Sequence, residues 1–172
     1  MVSRDSVWIA LTIAALNDLK VMACNIQNAY LTADCQEKIW TIAGPEFGSK
    51  AGQPMLIVKA LYGLKSSGAA FRAHLAETLD AMGYKPSYAD PDVWMQPAVK
   101  PDGFKYYEYV LTYVDDVLSI LHDPMTTMKQ IQQDFKLKNN MIAESGVYLY
   151  LGATLSKMSL MNGKECWTMS PE

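Results

Sequence analysis

The sequence predicts an α+β fold with a mostly antiparallel sheet, and three observations carry that prediction. Helical periodicity is confined to three stretches, near residues 3–17, 66–82 and 124–136, and the apolar runs between them are of strand length. Two of those runs, Tyr106–Val114 and Val117–Leu121, are separated by nothing more than Asp115-Asp116. Asn162-Gly163, between two later runs, is a hairpin signal.

Length and composition bound the rest. At 172 residues the chain is one domain's worth. Half the residues are hydrophobic and 19% are charged, which excludes disorder as the main state. A chain of this size buries about 70% of its unfolded surface and needs no staples. The formal net charge of −3 argues against a free-standing basic nucleic-acid binder. Cys24, Cys35 and Cys166 are odd in number and unpaired in spacing, which suits a reducing compartment. The apolar stretch Val7–Leu16 is far shorter than the roughly 20 residues of a membrane span.

The elements follow in order. Ser3 or Asp5 caps a helix to about Asn17, apolar almost all round and so expected to be buried on most faces. Val21–Gln27 reads as a strand, Asn28–Leu31 as a turn, and Glu37–Ala43 as an edge strand ending at Gly44-Pro45. Residues 47–54, with two glycines and a proline, read as a loop before the short strand Met55–Val58. In Ser66–Met82 the stripe Phe71, Leu75, Leu79, Met82 has helical spacing, and Gly83 terminates it. Asp92–Met95 is a brief strand. Asp123-Pro124 opens a helix with proline at its first position, running to about Lys136. Tyr148–Leu155 reads as one strand with a glycine bulge at Gly152, and Glu165–Met169 as another.

The sharpest local feature is YVLTYVDDVLSIL, Tyr109–Leu121. A tight hairpin favours Asn-Gly or Asp-Gly, and here two carboxylates stand side by side instead. Adjacent like charges cost free energy, and a bound cation relieves it. Hard divalent ions take such carboxylate oxygens and leave the remaining positions to water and phosphate. The ordinary alternative is a solvated turn carrying two charges.

The surroundings decide between these. Tyr113-Val114-Asp115-Asp116 resembles the YVDD box of reverse transcriptases. Asn25–Leu31, NIQNAYL, is similar to the first palm motif, D-V-x-x-A-[FY]-L. Ala60–Phe71, ALYGLKSSGAAF, resembles the ALYGLKQAPRAW box of copia-type LTR retrotransposons. Ala89-Asp90-Pro91 with Val93-Trp94 resembles that family's ADPxxF segment, and Tyr150–Leu155, YLGATL, its FLGxxI primer-grip segment. These ordered matches cover about residues 3–170, so the chain is similar to a copia-type reverse transcriptase domain.

That resemblance implies a polymerase palm with a ferredoxin-like core and part of the fingers over residues 1–172. It implies a site for two Mg²⁺ (or Mn²⁺) ions about 3.5–4 Å apart. In the family, the first-motif Asp and the first Asp of YVDD hold the metals; here those positions are Asn25 and Asp115, with Asp116 beside them. Asparagine keeps one carbonyl oxygen but loses the charge, so the resemblance implies a copy inactive or impaired as a polymerase. Tyr30 matches the steric gate that excludes a ribose 2′-hydroxyl. Tyr62, Gly63 and Lys65 match the nucleotide-binding box, and Tyr150, Leu151 and Gly152 the primer grip. Lys136 and Lys138 lie near the fourth palm motif.

Departures from the family pattern are specific. Ser66, Gly68, Ala69 and Phe71 stand where Gln, Pro, Arg and Trp are usual, and Trp8 stands where many relatives carry arginine. The basic fingers segment, the thumb and RNase H are not in this sequence, so a fragment of a Pol polyprotein is expected. Residues 47–76 carry Lys50, Lys59, Lys65 and Arg72 and no acid, a strip suited to a template–primer path. Expected partners are an RNA or DNA template–primer, dNTPs and the rest of Pol, including integrase, with no membrane. The expected location is cytoplasmic, in a virus-like particle, and nuclear besides. The competing reading is a non-catalytic α+β module binding nucleic acid or protein, with Tyr106, Tyr107 and Tyr109 as an exposed stacking face.

Overall fold

A computed structural model describes residues 1–138 and 148–171. The chain divides into two compact units, Met1–Gln27 with Thr78–Glu172, and Asn28–Glu77. The α+β class with antiparallel sheets is as expected from the sequence.

In the first unit, helix α1 (Arg4–Leu16) starts at Ser3, whose hydroxyl accepts the Ser6 N–H, and ends at Asn17. Strand β1 (Lys20–Ile26) follows. After Gly83 (φ 96°) come β4 (Lys85–Pro86), β5 (Val93–Val99), β6 (Lys105–Tyr113) and β7 (Asp116–Leu121). Helix α4 (Pro124–Asp134) has Asp123 as its cap residue and leads to β8 (Leu137–Lys138). These strands form one six-stranded sheet in the order β4-β5-β6-β7-β1-β8, every pair antiparallel. Strands β9 (Tyr148–Tyr150), β10 (Ala153–Ser159) and β11 (Glu165–Pro171) form a second antiparallel sheet.

Both faces of the large sheet are covered at its centre. Helix α4 packs on β1 and β7, where Ser119 meets Met128. On the other face, α1 and the small sheet enclose a cluster containing Val7, Leu11, Val21, Leu118, Ile120, Tyr150 and Leu155. Coverage on two sides explains why β7 reads as a continuous apolar run. It also sorts β1 by alternation: Val21 and Ala23 point into that second cluster, and Asn25 is the next residue on that side.

Several expectations are corrected. Helix α1 is buried only along Val7, Ala10, Leu11 and Ala14, while Ile9 and Leu16 are exposed, because only one side of it meets the sheets. The 148–155 run is two strands, not one: Tyr150 pairs with Ala153, and Leu151-Gly152 is a turn. The two-residue strands β4 and β8 carry too little pattern to be seen in the sequence.

In the second unit, a short helix α2 (Ala29–Thr32) follows Asn28, which adopts a left-handed φ of 53°. Strands β2 (Trp40–Ile42) and β3 (Pro54–Leu56) pair antiparallel, and a 3₁₀ stretch at Pro45–Lys50 lies between them. Helix α3 (Ser67–Ala81) begins here, with Phe71 and Leu75 buried.

Burial gives the cysteines different reactivities. Enclosure first, and then the charge of Asp116, push the Cys24 thiol up to about 12. Iodoacetamide at pH 8 is expected to label Cys35 and Cys166 in the native protein and Cys24 only after denaturation. Peptide mass spectrometry reads this, and equal labelling of all three would contradict it. Because the unfolded thiol ionises near 9.0 and the folded one does not, this group's contribution to stability is lost as pH rises above about 9.

Candidate active site

A single row of residues crosses four strands at one end of the large sheet. Tyr113 on β6 pairs with Asp116 on β7, Asp116 with Asn25 on β1, and Asn25 with Lys138 on β8. Asn25 and Asp116 continue the file of Ala23, Leu118 and Ile120, so both side chains rise on the face shared with Tyr150. The Asn25 Nδ2 donates to Asp116 Oδ1 at 2.9 Å. Asn25 Oδ1 is buried and has no hydrogen-bond partner among the described residues. The Lys138 ammonium stands 3.7 Å from Asp115 Oδ2.

The carboxylate hairpin is tighter than the sequence suggests. Its two central residues are Val114 and Asp115, and Asp116 already belongs to β7. Val114 holds a φ of 51°, the left-handed region required at the first central position of a type II′ turn. For a β-branched residue that conformation costs about 1–2 kcal/mol. The turn is pinned from below, since the Ile26 N–H donates to the Asp115 carbonyl at 2.7 Å.

Burial raises the Asp116 carboxyl above the ordinary range, and the neighbouring Asp115 charge adds to this. The Asn25 amide, the Leu151 backbone N–H and the Lys138 charge oppose it. Tyr150, also matched to the primer grip, is fully buried, and its hydroxyl has no partner among the described residues. Burial and the charges of Asp116 and Asp90 push that phenol upward. Leu151 (φ 54°) and Gly152 (φ 69°) form a type I′ turn above it. A cleft of about 710 Å³ opens beside Asp116 and is walled by Arg4, Trp8, Tyr113, Leu151 and Met169.

The other motif residues lie in the second unit. Tyr30 stacks on Tyr62 at 4.5 Å and approaches Phe71 at 6.2 Å. A side chain at Gly68 would meet the Tyr30 hydroxyl at 3.8 Å. Gly63 has a φ of 96°, and Lys65 is exposed. Ser66 departs from the family's glutamine and has its own use. Its hydroxyl and its N–H both donate to Glu37 Oε1 just before α3, and these two bonds, the hydroxyl's first, hold the Glu37 carboxyl below its ordinary range. Reading the sequence did not find Glu37. It placed Asp90 in the ADPxxF-like segment without a contact; the carboxylate accepts from the Ser3 N–H and the Ser6 hydroxyl and so fixes the start of α1. Both contacts join residues distant in sequence, and no local pattern marks them.

The stacking face of the competing module is not formed. Tyr106 and Tyr109 are half-buried against the core, which leaves Tyr107 as the exposed member.

Sequence comparison gives the family. Residues 1–162 match the family described as reverse transcriptase (RNA-dependent DNA polymerase), and the chain belongs to it. It is 26% identical over 146 residues to the Retrovirus-related Pol polyprotein from transposon RE1 of Arabidopsis thaliana, covering 81% of this chain and 10% of that protein. It is 28% identical over 126 residues to the Retrovirus-related Pol polyprotein from transposon TNT 1-94 of Nicotiana tabacum, covering 72% of this chain and 9% of that one. The chain thus matches about a tenth of the length of these curated copia-type relatives.

The strained hairpin predicts an unusual response to glycine. Val114→Gly relieves the left-handed φ but loosens the unfolded chain, so urea unfolding should show a change between zero and about 1 kcal/mol of added stability. A loss of about 2 kcal/mol or more would contradict the turn geometry.

Proposed function

We propose that this chain is the palm, with part of the fingers, of an RNA-directed DNA polymerase, and that this copy is impaired by Asn25. The ferredoxin-like arrangement of the palm belongs to the same reading. The observation that supports it is the Asn25–Asp116 hydrogen bond at 2.9 Å, made by an amide at the position where the motif has a carboxylate.

The donor set bears on the implied cation. Among the described residues no three His, Cys, Asp or Glu side chains converge. The free Asn25 Oδ1 and the Asp115 carboxylate are nonetheless hard oxygen donors of the type Mg²⁺ or Mn²⁺ takes, so the set fits such an ion with one charge missing. Asp115 and Asn25 would hold it, with the Asp116 charge alongside. A bound divalent cation there would activate a primer 3′-hydroxyl and stabilise the leaving pyrophosphate.

The chain's own residues do the rest. Tyr30, braced by Tyr62 and Phe71, presents its ring to the sugar of an incoming dNTP and excludes a 2′-hydroxyl. Lys65 is exposed and meets a phosphate, and the open backbone at Gly63 admits close approach of a base. The Leu151-Gly152 turn bears on the primer end. Partners are a template–primer, dNTPs and the remainder of a Pol polyprotein with integrase and RNase H, in a cytoplasmic virus-like particle and in the nucleus.

Primer extension tests this reading. The unmodified chain should run at least roughly 100-fold slower than Asn25→Asp, a difference of about 3 kcal/mol in barrier. Tyr30→Val placed on Asn25→Asp should admit ribonucleotides. Equal extension by the unmodified chain and Asn25→Asp would overturn the impairment.

A further inference from the structure

The loop at residues 89–93 grips two elements far from it in sequence, and the Asp90 side chain makes the first grip. Asp90 Oδ2 accepts the Ser3 N–H at 2.9 Å and the Ser6 hydroxyl at 2.6 Å. The Ser6 hydroxyl has one proton and gives it to Asp90, so Ser3 is the donor in the 2.8 Å contact between the two serine hydroxyls. Ser3 Oγ in turn accepts the Ser6 N–H at 3.0 Å, which caps α1. Asp90 Oδ1 accepts the Asp92 N–H at 3.2 Å, and the Asp90 carbonyl accepts the Val93 N–H at 3.0 Å, so a turn holds the carboxylate itself.

The second grip is made by the main chain. The Asp92 carbonyl accepts the Thr112 N–H at 2.9 Å, and the Thr112 carbonyl accepts the Val2 N–H at 3.2 Å. Thr112 immediately precedes Tyr113, where the 113–116 hairpin begins. The start of α1 is thus tied at two points, Ser3 to Asp90 and Val2 to Thr112, and the β6 end of the hairpin is tied to the same loop. Arg4 and Trp8 lie four residues apart on α1 and share one face of it. Both wall the cleft beside Asp116, together with Tyr113 and Leu151. Trp8 is 39% exposed and Arg4 is exposed, so an aromatic face and a guanidinium are open to a ligand.

We propose that Asp90 is a positioning residue that sets the α1 face bearing Arg4 and Trp8 against this cleft, and that this face takes the end of a nucleic-acid strand. An indole stacks on any base, and a guanidinium pairs with a phosphate through two parallel bonds. The choice of ligand rests on the polymerase reading above; the hold of Asp90 on α1 does not. Trp8 stands where many relatives carry arginine, so this chain offers stacking where those relatives offer charge.

The experiment is fluorescence anisotropy with a labelled DNA hairpin carrying a recessed 3′ end, on the full chain in EDTA, which reads binding without chemistry. Trp8→Ala should bind at least about 5-fold more weakly, the loss of one stacked base. Asp90→Ala should lose about as much, and the double variant no more than either alone, because both act through one face. Ser6→Ala removes one bond to Asp90 and provides the reading if Asp90→Ala does not fold; it too should bind more weakly. Fluorine NMR of the free chain labelled with fluorotryptophan reads the hold on α1 separately. The Trp8 resonance should move in Asp90→Ala and Ser6→Ala and stay in place in Asp102→Ala, at the exposed turn between β5 and β6. Unchanged DNA binding in Trp8→Ala and Asp90→Ala, additive losses in the double variant, or an unmoved Trp8 resonance would overturn this inference and leave the polymerase reading standing. No DNA binding by the unmodified chain would overturn both the polymerase reading and the ligand assigned to this face.

Discussion

The antiparallel register of β1 against β7 is the constraint on which the site depends. Six pairs, from Lys20 opposite Leu121 to Asn25 opposite Asp116, set it. A slip of β1 by one residue against β7 would turn Val21 and Ala23 out of the cluster they share with Leu118 and Ile120. Helix α4 on one side and α1 with the small sheet on the other make that slip costly, since each side buries several large side chains. The hydrophobic pattern thus places two polar side chains beside each other at the open end of the sheet. No attraction between Asn25 and Asp116 is needed to bring them there.

What the two then do follows from one amide. An aspartate at position 25 would put three carboxylates at the end of the sheet, a repulsive arrangement that only cations relieve. Asparagine converts repulsion into a hydrogen bond of about 1.5–3 kcal/mol to a charged acceptor. Lys138, on the far side of β1, reduces the remaining charge further. In this row the Asn25 Oδ1 lacks a hydrogen-bond partner among the described residues.

Much of this was legible in the sequence, and the exceptions have physical causes. Helices α1, α3 and α4 announce themselves through Ser3, the Phe71–Met82 stripe and Asp123-Pro124. The hairpin is legible from the two apolar runs that flank Asp115-Asp116. The placement of the turn one residue early was not, because valine is a poor candidate for a left-handed φ and only long-range pairing enforces it at Val114. The same holds for Leu151, which local preference reads as strand. The net charge of −3 pointed away from nucleic acid, while the family to which the chain belongs is defined by action on it. Composition averages over the basic strip and the acidic hairpin, and the average hides both.

The proposed impairment turns on Asn25, which forms an amide–carboxylate pair with Asp116 where the motif has two carboxylates. Manganese titration followed by electron paramagnetic resonance tests it without requiring catalysis. The account predicts weak Mn²⁺ binding by the unmodified chain and binding at least roughly 10-fold tighter by Asn25→Asp, about 1.4 kcal/mol. Equal affinities for the two chains would contradict it.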